Sequence, residues 1–131
     1  MKTIKQSVFF KADPHDVYEA LMDSRKHSQF TGDKAVISRK EGGTYKAYGD
    51  YIRGKNVKLV PDELIEQSWR STDFEEDYFS TVIFRLEKVR GGTKLSFTHK
   101  GVPDDQYEDL KQGWKDFYWE PMKRMLEKDN E

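Results

Sequence analysis

Cysteine is absent from the 131 residues. Its absence excludes disulfides and thiol chemistry, and a reducing cytoplasm is the expected setting. Long apolar runs are missing as well. Nothing approaches the roughly 20 residues that a membrane-spanning helix requires. The opening MKTIKQSVFFK has no apolar stretch of the kind that marks a secretory signal. Neither sign of charge dominates, since 23 Lys and Arg face 24 Asp and Glu for a formal net charge of −1. That balance predicts no general attraction to nucleic acid or to an anionic membrane. What the chain does have is rings. Aromatic residues make up 14% of it, so much of a single-domain core must be aromatic.

The order of elements follows from apolar periodicity. Ile4, Val8 and Phe10 alternate with polar residues and predict a half-buried strand. Asp13 and Pro14 suit the cap and first position of a short helix carrying Val17, Ala20 and Leu21. A second short helix follows over Ser24 to Phe30 and stops near Gly32. From Ala35 to Lys100 the pattern is that of six strands joined by tight turns. Its apolar phase slips after Ile52, which predicts a bulge near Gly54. After Pro103, Asp104 suits the cap of a long helix. Trp114, Phe117, Tyr118, Pro121, Met122 and Met125 then form one apolar stripe at the α-helical period. Pro121 removes a backbone hydrogen bond and predicts a bend there. The fold class is α+β: a curved antiparallel sheet of six to seven strands wrapped around a long C-terminal helix, with two short helices after the first strand.

Signs of catalysis are few. His15, His27 and His99 have no short ligand spacing, so no metal site is expected. Gly42-Gly43-Thr44 and Gly91-Gly92-Thr93 lie between strands and read as hairpin turns, not as phosphate loops. No nucleophile elbow surrounds Ser38, Ser68 or Ser96. No cofactor is expected, and the chain reads as a binding domain and not as an enzyme.

Several stretches together carry a family resemblance: ADPHDVYEAL, HSQFTG, GGTYKAYGDYIRGKNVKLVP, LIEQSWRS, GGTKLSFTHKGVP and GWKDFYWEPM. In this order and spacing the chain resembles the group named after the activator of heat-shock protein 90 ATPase, in its C-terminal-type domain. That group belongs to the START-like helix-grip superfamily. The resemblance implies a cavity between sheet and long helix that takes a small apolar or aromatic ligand. Trp69, Phe84, Phe97, Trp114, Phe117 and Met122 are its expected lining, with His99 near an opening. It implies as an alternative a co-chaperone-like domain that meets a heat-shock ATPase through an outer surface around the acidic Asp73 to Asp77 loop. More distant relatives of the fold suggest a third reading, a cyclase- or hydrolase-like enzyme with His99 as its base.

Overall fold

The computed structural model describes residues 1–128. Strand β1 (Lys2–Phe10) is followed by helices α1 (Pro14–Met22) and α2 (Ser24–Thr31). The meander then runs through β2 (Val36–Ile37), β3 (Thr44–Ala47), β4 (Ile52–Val60), β5 (Leu64–Ser71), β6 (Ser80–Val89) and β7 (Gly92–Val102). The sheet has seven antiparallel strands in the order β1-β7-β6-β5-β4-β3-β2. Only β1 leaves sequence order, crossing to pair with β7. Alternation holds along the strands: Val82, Phe84 and Leu86 are buried on β6, as are Leu95, Phe97 and His99 on β7. Register sets Phe84 opposite Phe97, with ring centroids 5.1 Å apart.

Three local expectations are corrected. The bulge lies between Asn56 and Lys58, not at Gly54. Gly54 serves close approach instead, because a Cβ there would sit 1.9 Å from the Ser68 carbonyl oxygen. Asp13 occupies the cap position of α1 but accepts no capping bond, since its carboxylate pairs with Lys88 Nζ at 2.7 Å. Asp104 is likewise not a helix cap. It opens a 3₁₀ turn, Asp104–Gln106, and pairs with the N-terminal amine.

The C-terminal rod is a helix with one widened turn. Helix α3 (Tyr107–Trp114) passes into a π-helical turn (Lys115–Trp119) and then into α4 (Glu120–Lys128). Within the wide turn the Glu120 N–H reaches back five residues to the Lys115 carbonyl. Residues five apart therefore fall beneath one another, and Trp114 and Trp119 stack at 5.7 Å with an interplanar angle of 21°. The defect predicted at Pro121 thus sits one turn earlier than the proline itself. Pro121 offers no N–H to the Phe117 carbonyl four residues before it, and the Tyr48 hydroxyl donates to that carbonyl at 2.6 Å. At the other end the Lys115 N–H turns to the Gln112 carbonyl. The Gln6 amide then donates to the Lys111 carbonyl at 2.9 Å. Strand β1 and the β3–β4 turn thus hold the widened turn from both sides.

The π turn also corrects the predicted stripe. A straight α-helix would bury Phe117 and leave Trp119 outside. Here Phe117 is 58% exposed and Trp119 only 3%. Trp119 donates its indole N–H to Gln6 Oε1 at 2.7 Å. Trp114, Tyr118, Trp119, Met122 and Leu126 face the sheet and complete the core.

A groove between helix and sheet edge

The space directly beneath the rod is filled. The opening that Phe84, Trp69, Trp114 and Tyr118 line together is a void of about 10 Å³, at the lower limit for a single water. The expected interior chamber is therefore corrected to packed core. Phe97, Met122 and His99 lie in that core at 1%, 0% and 0% exposure.

His99 is not at a mouth. Trp114 donates its indole N–H to His99 Nδ1 at 3.1 Å. Ser80 Oγ donates to the Trp69 carbonyl at 2.8 Å and stands 2.8 Å from His99 Nε2. An indole can only donate, so Nδ1 carries no proton and Nε2–H donates to Ser80. Burial pushes the His99 pKa down to about 3. Nδ1 holds Trp114 against β7 and Nε2–H holds Ser80 of β6, so neither nitrogen is left to take a proton from a substrate. His27 is built the same way. Its Nδ1–H donates to the Leu21 carbonyl at 3.1 Å, its Nε2 accepts from the Tyr118 hydroxyl at 3.0 Å, and its ring packs on Phe30. Burial pushes its pKa down to about 4.

The open space lies to the side, as a groove of about 680 Å³, within the range of small-molecule sites. Trp69, Trp114 and Tyr118 form its floor, and Tyr48, Tyr51 and Phe117 its walls. The structure brings Trp69, Trp114 and Phe117 of the predicted residues to this groove. It leaves Phe84, Phe97, His99 and Met122 in the core behind it. Tyr48 and Tyr51 arrive from the β3–β4 turn, where the Tyr48 backbone is left-handed at φ 51°. The Tyr51 hydroxyl donates to Asp73. Burial, with Asp33 nearby, pushes the Tyr48 pKa up to about 12. Both phenols therefore stay protonated as donors at neutral pH.

The rod lines the groove through two rows at i, i+4 spacing. One is Asp105, Asp109, Gly113 and Phe117, the other Gln106, Leu110, Trp114 and Tyr118. Sequence reasoning missed Asp105, Asp109 and Gly113 of the first row because a stripe of apolar residues passes over carboxylates and glycine. Among the described residues, no group of three or more histidines or carboxylates is arranged to hold a metal ion. No described helix is long and apolar enough to cross a membrane.

The acidic loop after β5 is ordered from within. Phe74 is buried, and the Arg70 guanidinium donates to the carbonyls of Glu75 at 2.7 Å and Phe74 at 3.3 Å. Glu75, Glu76 and Asp77 are left exposed.

Comparison with known proteins places this geometry in context. The family model for activator of Hsp90 ATPase homolog 1-like proteins matches residues 11–127. An activator of 90 kDa heat shock protein ATPase homolog from Dictyostelium discoideum is 30% identical over 116 residues. The match takes in 87% of this chain and 30% of that protein. The human homolog 1 is 26% identical over 122 residues, covering 93% of this chain and 36% of that one. The chain thus spans about a third of the length of these curated relatives. Among solved structures, an HSP90 activator from Plasmodium falciparum superposes with a TM-score of 0.89 at 22% identity, covering 96% of both chains. The Aha1 dimer from Colwellia psychrerythraea gives 0.82 at 22% identity and the same coverage. At this level of identity the two structures share the fold.

Proposed function

This chain belongs to the activator of Hsp90 ATPase homolog 1-like family, and from that premise we propose that it is a co-chaperone-like domain that docks on an Hsp90-type ATPase. What carries the reading is the family match along 11–127, together with relatives that are named as activators. The loop of Glu75, Glu76 and Asp77 supplies the docking surface. Its carboxylates are exposed, and Phe74 and Arg70 fix its shape, so little ordering entropy is lost on contact. The test is capture of the Hsp90-type ATPase from the same cell, followed by its ATPase rate with and without this chain. The expected result is a complex and an altered rate, both weakened in an E75Q/E76Q/D77N variant. Asn tolerates the left-handed backbone of Asp77 (φ 65°), so that variant keeps the loop. No complex and no rate change would remove the proposal.

A second reading, the groove as a small-ligand site, is favoured by Gly113. Glycine in a helix interior costs about 1 kcal/mol relative to alanine. Neither left-handed backbone nor crowding requires it here: an added Cβ would meet nothing closer than Phe117 Cδ2 at 3.8 Å. What the missing side chain does is keep the groove open. Gly113→Ala is expected to stabilise the fold by about 0.5–1 kcal/mol. Aromatic compounds should raise the melting temperature of the parent chain, and Gly113→Leu should fold and lose that shift. A destabilised Gly113→Ala, or a Gly113→Leu that still responds to them, would count against the groove.

A further inference from the structure

The groove is chemically lopsided. Three of its lining residues, Asp73, Asp105 and Asp109, are carboxylates, and among the described residues no Lys, Arg or His lines it. The chain as a whole has almost as many basic as acidic residues, 23 against 24, so an even spread would have put both signs along the walls. The rod that forms one wall carries Lys111 and Lys115 as well, yet neither turns into the groove, and Lys111 lies over the Tyr107 ring instead. None of the three aspartates takes part in an ion pair among the described residues. Acidic residues do favour the start of a helix. Asp104 and Glu108 serve that purpose as well, and they do not line the groove.

The charge is also placed at one end. Along the rod the groove-facing row runs from Asp105 and Asp109 through Gly113 to Phe117, with Leu110, Trp114 and Tyr118 beside it. Tyr51, hydrogen-bonded to Asp73, stands with the carboxylates. One end of the groove is therefore anionic, and the other is aromatic and apolar. Aromatic faces themselves attract cations and add nothing for an anion.

Resting on the reading of the groove as a ligand site, we infer that its occupant is a small amphipathic cation. A protonated amine or quaternary ammonium lies among Asp73, Asp105 and Asp109, and an aromatic or aliphatic body lies against Trp114 and Phe117. Fatty acids and other anionic amphiphiles are excluded by the same charge.

Three probes that share one ring system test this: naphthylmethylamine, naphthalenemethanol and naphthoate, titrated calorimetrically into the full chain at pH 7. The amine should bind about tenfold more tightly than the alcohol, from exposed ion pairs and cation–π contact together, and the carboxylate should not bind. At about 1 M salt, where the Debye length shrinks to about 3 Å, the preference for the amine should fall to within about threefold. Asp105→Asn with Asp109→Asn should likewise bring the amine down to the level of the alcohol. Equal binding of amine and alcohol, a preference that survives salt and both substitutions, or tighter binding of naphthoate would overturn the cation assignment while leaving the groove a ligand site. Failure of all three probes to bind would remove the ligand site itself, and the cation assignment with it.

Discussion

Trp119→Ala should destabilise the fold by about 3–5 kcal/mol, the usual cost of truncating a large buried ring, while Phe117→Ala should cost less than about 1 kcal/mol. The two residues flank Tyr118, two apart in the chain, and face opposite ways. Trp119 is 3% exposed, stacks on Trp114, meets Phe97 at 5.1 Å and donates to Gln6. Its loss opens a cavity and leaves the Gln6 acceptor without its donor. Phe117 is 58% exposed and touches the Tyr48 ring edge-on at 6.0 Å. Domains of this size have total stabilities of about 5–15 kcal/mol, so the contrast should be plain in urea unfolding followed by circular dichroism. Equal costs, or a larger one at Phe117, would mean that the rod is a straight α-helix and the widened turn is absent.

That contrast also marks where sequence reasoning held and where it failed. The strands were legible because alternation at a period of two shows within each run on either side of a bulge: Ile4, Phe84 and Phe97 face the core as their alternation predicts. The long C-terminal rod and the two short helices were legible too. The phase of the rod was not. A stripe counted at 3.6 residues per turn has no means of registering an extra residue, so it turns Phe117 inward and passes over Trp119. Pro121 signalled a defect but not its position. That was decided by long-range partners, the Gln6 amide and the Tyr48 hydroxyl, which take the Lys111 and Phe117 carbonyls. The site was half legible for a related reason. Trp69, Trp114 and Phe117 do reach the groove, but its polar half comes from a turn and from the first turns of the rod. There Tyr51, Asp105 and Asp109 look like ordinary surface residues until the fold brings them together.

Taking the pH from 7 to 5 should lower the unfolding free energy by about 4 kcal/mol through His27 and His99 alone. Both are held below their unfolded value near 6.5, at about 4 and about 3, by burial. Their neighbours supply no compensating charge. His27 meets the Leu21 carbonyl, Tyr118 and Phe30, and His99 meets Ser80, Trp69, Phe97 and Trp114. The sign follows from proton counting. Between pH 6.5 and 4 the unfolded chain binds a proton at each imidazole and the folded chain does not, so stability is full above 6.5 and declines as acid is added. Each histidine contributes about 1.4 kcal/mol per pH unit in that window. Asp13, lowered by its bond to Lys88, acts only below the ordinary carboxylate range and leaves the window clear. Urea unfolding at several pH values should therefore show an uptake of close to two protons near pH 5. Carbon-13 shifts of the folded protein should show both buried rings still neutral there. Stability that stays flat from pH 7 to 5, or a His99 ring that titrates near 6.5, would mean that Trp114 is not held by an unprotonated Nδ1. The floor of the groove would then lose the bond that fixes it to the sheet.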